Sequence, residues 1–249
     1  MSKYKTPCRK IPDELLPDYT MHGKIPVVDW YLAQNYPVFL NWPNDLIQSY
    51  VNDNTSEKIR NNQGQSPYGK KACIDILDAC TKYDVRNKEI AVIGSITPWL
   101  ESILLNLGNC VTTVEYNVPV ANYKDLVCIS SQDFKKSTHK YDCIVSYSTI
   151  QHCGLGSYGD PLNPNGDIEE MQNVQEHLKD GGLCLWSCPV GKDVLAWNAL
   201  RVYGPIRLPL IFEGFQEMEW FGCTKQDCFN SPLAIYHKHM PLVVLEKNA

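Results

Sequence analysis

One stretch, residues 89–117, constrains the fold of this chain more than any other, because strand, turn and helix signals follow each other there in a fixed order. An apolar run from Ile90 to Ile93 stops at Gly94, and Pro98 then suits the first turn of a helix, where its missing N–H costs nothing. Leucine and isoleucine recur at helical spacing, and a second β-branched run ends at Glu115. This order predicts the first half of a nucleotide-binding βαβ unit.

The residues around this turn also indicate a type of cofactor. Gly94 has no Cβ, so its backbone can approach a ligand closely, and Glu115 lies 115 − 94 = 21 residues further on, about where an acid meets ribose hydroxyls. The turn reads G-S-I-T-P-W, which is not G-x-G-x-x-G, so a pyrophosphate has no glycine cradle. An adenosine cofactor without phosphates fits better, and S-adenosylmethionine (AdoMet) is the common one. An ordinary βαβ core without a ligand gives the same pattern.

Five further strands are predicted downstream. The last two fold back on the fifth strand, which fits the antiparallel edge of class I methyltransferases better than a nicotinamide dehydrogenase. The predicted fold is therefore α/β and Rossmann-like, a mostly parallel seven-stranded sheet with an antiparallel C-terminal strand. The five strands are Leu126–Ser130, Tyr141–Ser148, Leu183–Pro189, Glu217–Cys223 and Pro241–Glu246, and helices are predicted at Tyr68–Tyr83 and Ile168–Lys179.

The N-terminal quarter is rich in proline and has no strong periodicity. Residues 1–65 are therefore predicted to be a cap of short helices and turns, ending in a polar linker at Asn52–Gln65. Residues 66–249 form the predicted methyltransferase-like domain.

Composition excludes several classes of function. The net charge of −5 argues against a nucleic-acid binder. No apolar run approaches the ~20 residues of a membrane span, and the N-terminus has no apolar core of a secretory signal. We expect a soluble, cytoplasmic protein that binds neither nucleic acid nor membrane.

The chain has 11 cysteines, an odd number, and most of them lie in apolar helix or strand patterns where a free thiol acts as a small hydrophobe. No C-x-x-C occurs. Cys223 and Cys228 with His237 and His239 could suggest a metal site, but their spacing matches no recognised zinc pattern. The sequence therefore predicts no metal.

A long glycine- and proline-rich loop follows the fourth strand, at residues 154–166. Loops of this length in compact domains are usually functional or disordered, and this one follows a strand end that would line a crevice. His152 is the first candidate for a general base, and Asp160 is the second candidate or the partner that orients His152. His152 could instead only cap the turn. Asp167 is predicted to cap the following helix.

Other polar positions complete the predicted site. An acid beside an aromatic at Asp133 and Phe134 could hold an adenine, although a turn aspartate is an equal alternative. Arginines among apolar residues usually have partners, either structural carboxylates or a polyol or anionic ligand. The predicted cofactor-binding residues are Gly94, Ser95, Glu115, Tyr116, Asp133, Phe134 and Ser146, and the predicted substrate-binding residues are Tyr158, Arg201, Tyr203 and Arg207.

Several of these stretches resemble a family of nematode proteins catalogued as a domain of unknown function, related to the class I AdoMet-dependent methyltransferases. The matching segments cover about residues 68–222, and the loop is the most distinctive of them. The resemblance implies a Rossmann-like fold and AdoMet binding, and supplies no substrate. The segments are V-I-G-S-I-T-P-W-L-E at 92–101, V-E-Y-N at 114–117, Q-H-C-G-L-G-S-Y-G-D-P-L-N-P-N-G-D at 151–167, L-K-D-G-G-L at 178–183, P-V-G-K-D at 189–193 and R-V-Y-G-P-I-R-L-P at 201–209.

Two positions depart from the family pattern as it is implied by this resemblance: Ser157 stands where a basic residue is common, and Leu200 where histidine is common.

The function predicted is AdoMet-dependent O-methylation of a small polar acceptor, such as a sugar or glycan. The alternatives are a non-catalytic AdoMet-fold binding protein and, less favoured, an NAD-dependent oxidoreductase. The sequence leaves the oligomeric state open.

Overall fold

The computed structural model describes residues 8–32, 40–232 and 239–248. The helices are α1 Leu16–Tyr19, α2 Asn44–Asp53, α3 Ser56–Arg60, α4 Lys70–Lys82, α5 Trp99–Asn106, α6 Ser131–Lys136, α7 Gly166–His177, α8 Leu208–Ile211 and α9 Lys225–Asn230. The strands are β1 Val27–Trp30, β2 Asn41–Trp42, β3 Glu89–Ile93, β4 Cys110–Glu115, β5 Val120–Ala121, β6 Leu126–Ser130, β7 Tyr141–Tyr147, β8 Leu178–Ser187, β9 Val194–Asn198, β10 Leu200–Val202, β11 Phe215–Phe221 and β12 Leu242–Lys247.

A seven-stranded sheet forms the centre, in the order β11-β12-β8-β7-β3-β4-β6. The five strands from β8 to β6 are parallel to each other, whereas β12 pairs antiparallel with both β8 and β11. All seven are the strands predicted from the sequence. The prediction of a Rossmann-like class I methyltransferase fold is therefore confirmed, including the antiparallel strand at the C-terminus.

The core lies on both faces of this sheet, because successive side chains of a strand point to opposite faces. Ile90 and Val92 of β3 belong to the hydrophobic cluster beneath α4 and α5, whereas Ala91 and Ile93 belong to the cluster beneath α7 and α8. Strands buried on both faces read as continuous apolar runs, which is why the sequence pattern located them.

Two small sheets attach the N-terminal segment to the rest of the chain. β1 pairs parallel with β9, which pairs antiparallel with β10, and β2 pairs parallel with β5. Ile47 of α2 and Ile59 of α3 are fully buried in the same hydrophobic cluster as α4 and β3. Residues 40–65 thus share a core with the central sheet, whereas Tyr19 and Ile25 pack in a separate cluster with Leu155, Leu195 and Trp197.

Some local predictions were wrong. The predicted linker at 52–65 contains α3, and Thr55 caps its N-terminus with a hydroxyl that accepts a hydrogen bond from the Lys58 N–H. Asn165, and not Asp167, precedes α7. Within the described residues, no helix combines the length and the apolar character that a membrane crossing requires.

Candidate functional site

A cavity of about 570 Å³ opens at the carboxyl ends of β3, β4 and β7. Strand order reverses here, because β4 and β6 lie on one side of β3 and β7 and β8 on the other. In open α/β sheets, ligands bind at this switch point. Strand ends line the cavity with Gly94 after β3, Glu115 at the end of β4, and Tyr147, Ser148 and Thr149 at the end of β7.

The structure gives another reason for glycine at position 94, besides the close approach of a ligand that the sequence suggested. Its φ is +77°, which side chains disfavour, and a Cβ built there would lie 2.2 Å from Cγ2 of Thr149. The missing side chain thus makes room for Thr149, which joins the end of β7 to the turn after β3. Gly94 still lines the cavity.

Glu115 ends β4 and lies at the cavity wall. Its Oε1 accepts a hydrogen bond from the Ser95 N–H and its Oε2 from the Tyr116 N–H, both at 2.8 Å. Burial raises the pKa of Glu115, and the backbone N–H donors oppose this increase. No arginine or lysine of the described residues forms an ion pair with this carboxylate, so both oxygens can accept further hydrogen bonds.

A second carboxyl group, that of Glu101, lies fully buried beneath this turn. Thr113 Oγ1 is 2.9 Å from its Oε1, and Ser95 Oγ is 3.1 Å from its Oε2. Burial raises the pKa of Glu101 to about 7. Because the single hydroxyl proton of Ser95 also faces the Thr97 carbonyl at 2.9 Å, a protonated Glu101 can donate to Ser95 Oγ.

The predicted adenine-binding pair does not reach the cavity. Asp133 accepts a hydrogen bond from Ser130 Oγ at 2.6 Å at the start of α6, and Phe134 is fully buried and stacked on His177. The first turn of α6 instead presents Ser131 and Gln132 to the cavity. Ser146 is also outside the lining, because it is fully buried within β7.

His152 ends a short 3₁₀ helix, Ile150–His152, and lines the cavity. Its Nδ1 lies 2.6 Å from the Ala199 carbonyl oxygen, which fixes a proton on Nδ1. Its Nε2 lies 3.0 Å from the amide nitrogen of Gln151, and Gln151 Oε1 is buried without a hydrogen-bond partner among the described residues. The Tyr158 ring packs edge-on against the imidazole, with ring centroids 5.3 Å apart.

Asp160 shapes the loop that follows. Its carboxylate accepts hydrogen bonds from the backbone N–H groups of Gly154 at 2.7 Å, Gly156 at 3.2 Å and Tyr158 at 3.3 Å. Burial raises its pKa against these three donors. Asp160 lines the cavity, and its oxygens are engaged in folding residues 154–160 into a compact turn.

The two predicted substrate arginines lie behind this loop, outside the cavity lining. Arg207 donates to both carboxylate oxygens of Asp167, from Nε at 2.8 Å and from a terminal nitrogen at 2.5 Å, and Tyr203 Oη donates to Asp167 at 3.1 Å. Burial opposes ionisation of Asp167, but the charges of Arg201 and Arg207 hold its pKa below the usual value. We call Asp167, Arg201, Tyr203 and Arg207 the arginine cluster.

The arginine cluster fastens the loop from its rear side. Arg201 donates to the Cys153 carbonyl at 2.7 Å and to the Pro164 carbonyl at 3.2 Å, and Arg207 donates to the Pro164 carbonyl at 2.6 Å. All four side chains are buried. This placement differs from the sequence prediction, because the arginines bind loop carbonyls and a carboxylate instead of facing a ligand.

The structure therefore brings together most of the predicted residues: Gly94, Ser95, Glu115, Tyr116, His152, Tyr158 and Asp160 line one cavity. It also adds residues that the sequence reasoning missed. Thr149 directly follows the fourth strand, a position that the strand-end rule could have identified. Lys135, Asn163, Glu169 and Glu170 carry no such signal. Ser157 and Leu200, the two family departures, are buried outside the lining.

Sequence comparison identifies one family. A family described as Caenorhabditis protein of unknown function, DUF268, matches residues 87–241. This match covers more than half of the chain, and it includes β3, β4, β6, β7 and β8. No curated protein sequence matches the chain.

Solved structures share the arrangement at low sequence identity. They include the N-methyltransferase NodS from Bradyrhizobium japonicum in complex with S-adenosylhomocysteine (11% identity, 82% of this chain and 99% of that chain, TM-score 0.49). They also include the 1,6-didemethyltoxoflavin-N1-methyltransferase of Burkholderia thailandensis (10%, 70% and 77%, 0.47) and the CcbJ methyltransferase of Streptomyces caelestis (14%, 76% and 92%, 0.46). Because these TM-scores are below 0.5, we assign the fold from the order and direction of the strands in the central sheet and not from these structures.

Proposed function

The chain belongs to the DUF268 family of Caenorhabditis proteins, and we propose that it is an AdoMet-dependent methyltransferase that acts on a hydroxyl of a small polar acceptor, such as a sugar. One observation carries the proposal: the cavity of about 570 Å³ lies at the switch point of the sheet, with the Glu115 carboxylate at its wall and no glycine cradle for a pyrophosphate. The cavity has two ends. The nucleoside end comprises Gly94, Ser95, Glu115, Ser131 and Gln132, and the acceptor end comprises His152, Tyr158, Asp160, Asn163 and Glu169.

The nucleoside end suits an adenosine. Glu115 keeps both oxygens oriented through the Ser95 and Tyr116 N–H groups, and each oxygen has acceptor capacity left for ribose hydroxyls. Ser131 and Gln132 offer polar groups to the base. Tyr68 and Trp99 supply apolar surface to the same cavity. A dinucleotide needs donors for its pyrophosphate at the turn after β3, and the G-S-I-T-P-W sequence lacks the second and third glycines.

AdoMet, when bound, supplies a methyl group on a sulfonium. The protein then has to orient the acceptor, exclude water and take the hydroxyl proton. We assign proton removal to His152, because the Ala199 carbonyl holds its Nδ1 proton and makes Nε2 the accepting nitrogen. The Gln151 amide N–H that donates to Nε2 in this structure would give way to the acceptor hydroxyl. Once Nε2 is protonated, a rotation of the Gln151 amide would let the unpartnered Oε1 accept that proton in a hydrogen bond.

The acceptor end favours a polar substrate of small size. Tyr158, Asn163 and Glu169 are polar side chains in its wall, and Lys135 forms an ion pair with Glu170 at 2.9 Å. Arg201 and Arg207 take no part in acceptor binding, because they are buried in the arginine cluster. A second candidate follows from the three carboxylates in this wall, those of Asp160, Glu169 and Glu170: they would also suit an amine that binds as its cation and gives up a proton to His152 before its lone pair accepts the methyl group.

Calorimetry with AdoMet, S-adenosylhomocysteine and NAD tests the cofactor, and methyl transfer to matched panels of polyols and amines tests the acceptor. We expect binding of the two sulfur nucleosides, no binding of NAD, and turnover with polyols. NAD binding would refute the proposal, and nucleoside binding without turnover on any acceptor would indicate a non-catalytic protein. Turnover with amines alone would establish the second candidate.

A variant at the base separates chemistry from binding. His152→Ala should lower turnover by about 10²–10⁴-fold, the usual contribution of a general base, and leave the affinity for S-adenosylhomocysteine nearly unchanged. His139→Ala, at a half-exposed histidine near Glu89, is the matched control and should retain full turnover. Equal loss of turnover and nucleoside affinity in His152→Ala would make His152 a structural residue.

A further inference from the structure

A cluster of potential metal ligands lies on the segment between β11 and β12, apart from the cofactor cavity. Cys223 follows β11, Cys228 lies in α9, and His239 precedes β12. Their spacing in sequence matches no recognised zinc pattern, yet the fold places one ligand atom of each within 4.8 Å of the other two. His237, the fourth residue considered in the sequence, lies outside the described residues. We propose that Cys223, Cys228 and His239 bind a zinc ion.

The distances suit one small soft cation. The two sulfur atoms are 3.1 Å apart, and the imidazole nitrogen completes a triangle with sides of at most 4.8 Å. Zinc binds sulfur at about 2.3 Å and imidazole nitrogen at about 2.0–2.1 Å, so ligand atoms around one zinc are roughly 3.3–3.8 Å apart. Small side-chain adjustments therefore bring all three onto one ion. Two thiolates and a neutral imidazole also balance its charge.

The segment holds these ligands in place. Thr224 and Asp227 form a reciprocal capping box that fixes the turn between the two cysteines. The His239 carbonyl accepts a hydrogen bond from the Val190 N–H at 3.1 Å. His239 Nε2 lies 2.6 Å from Ser231 Oγ, which leaves Nδ1 as the nitrogen for the metal. A metal-bound histidine commonly donates its second N–H to such a partner.

Other thiols in the chain have a different setting. Cys80, Cys143 and Cys184 are fully buried among apolar side chains of the core clusters. Burial raises the pKa of Cys184 to about 12, so that thiol stays protonated. Among the described residues, only Cys223, Cys228 and His239 were found to form a group of three or more such ligand side chains. No disulfide joins these two cysteines.

The site has an open side. Cys223 and His239 both line a second cavity of about 440 Å³, together with Tyr68, Asp75 and Tyr147. Tyr68 and Tyr147 also line the cofactor cavity, so the two cavities are separated by these rings, whose centroids are 4.8 Å apart. A zinc ion with three protein ligands and a fourth position open to this cavity would bind one water molecule there.

Metal binding is tested on the full chain, reduced and freed of metal with a chelator. Titration with Zn²⁺ against a chromophoric chelator should show one tight site per chain, and Co²⁺ should give the thiolate-to-metal charge-transfer band and the strong visible bands of tetrahedral coordination. Cys223→Ser and His239→Ala, both at half-buried positions, should each weaken binding by roughly 100-fold or more.

Cys110→Ser is the matched control, because Cys110 is an exposed free thiol at the start of β4. It should bind Zn²⁺ like the unaltered protein. The proposal is overturned by an absence of stoichiometric binding, by cobalt spectra without thiolate bands, or by equal affinity in all variants. A Cys223–Cys228 disulfide in protein isolated and kept under reducing conditions would also overturn it. None of these readouts depends on AdoMet or on turnover.

Discussion

Two carboxylates near opposite ends of the cavity, those of Glu115 and Asp167, are held differently. At the nucleoside end, Glu115 is held by two backbone N–H groups, and Glu101 below it by two hydroxyls. Behind the acceptor end, Asp167 is held by Arg207 and Arg201. Backbone donors leave lone pairs available for a ligand, whereas a buried ion pair is saturated. The first arrangement serves binding and the second serves to position a loop.

The largest expected effect comes from removing the negative charge of the arginine cluster. Asp167→Asn would leave two buried arginines without a counter-charge and should lower the free energy of unfolding by about 3–5 kcal/mol. Chemical denaturation measures this loss, and limited proteolysis should then cut within residues 153–166. Asp53→Asn, which removes a half-exposed partner of Lys58, is the control and should cost about 1 kcal/mol or less. Equal losses in the two variants would contradict a stabilising role of the arginine cluster.

Next in size is a pH effect at the nucleoside end. Burial raises the pKa of Glu101 to about 7 in the folded protein, from the ordinary value of 4.5 that a glutamate has in the unfolded chain. The folded state therefore binds more protons between about pH 4.5 and 7, and stability should fall as the pH rises through this window, by roughly 3 kcal/mol at about 1.4 kcal/mol per pKa unit.

Glu101→Gln keeps a neutral side chain at all pH values, so it should remove this part of the pH dependence and be the more stable protein above pH 7. Denaturation at several pH values checks this, with the exposed Glu57→Gln as a control that leaves the profile unchanged. A parallel profile for Glu101→Gln and the unaltered protein would show that Glu101 is ionised throughout.

A third variant sharpens the comparison at the carboxylate that we assign to ribose binding. Glu115→Gln should weaken S-adenosylhomocysteine by about 10–100-fold, because hydrogen bonds to a charged group contribute about 1.5–3 kcal/mol. Stability should fall by only about 1–3 kcal/mol, because Glu115 has no arginine or lysine partner and the glutamine loses one acceptor for the Ser95 and Tyr116 N–H groups. Asp133→Asn is the control: it tests the residue that the sequence placed at the adenine and the structure places outside the cavity. If Asp133→Asn weakened S-adenosylhomocysteine binding and Glu115→Gln did not, Asp133 and not Glu115 would be the residue that contacts the nucleoside.

The smallest expected effect comes from the contact between Gly94, after β3, and Thr149, after β7. Gly94→Ala should cost about 1–3 kcal/mol of stability, because its Cβ would meet the Thr149 side chain. The double variant with Thr149→Gly should recover part of this loss, and a double-mutant cycle measures the coupling. Additive losses would show that the positive φ of Gly94, and not its contact with Thr149, requires glycine.

Most of the seven strands could be predicted from the sequence because they contain a short apolar run that ends at a glycine, an acid or a small polar residue, whereas β11 mixes polar and apolar residues. The nucleoside end followed from the same pattern, since Gly94, Ser95 and Glu115 lie at or just after the ends of neighbouring strands. Asp133 and Phe134 misled the prediction because successive residues of α6 point in directions about 100° apart, so that only Ser131 and Gln132 of its first turn face the cavity. Their side chains point to the Ser130 cap and to the core.

The sequence by itself determined the sheet, its antiparallel edge and the acid at the end of β4, because hydrophobic periodicity and strand ends are local properties. Tertiary structure alone decided that Arg201 and Arg207 hold a loop, that Thr149 occupies the space beside Gly94, and that Cys223, Cys228 and His239 meet. These contacts join residues that are up to 55 positions apart in the chain. Which polar side chain pairs with which therefore depends on the packing of whole elements, and no local pattern encodes it.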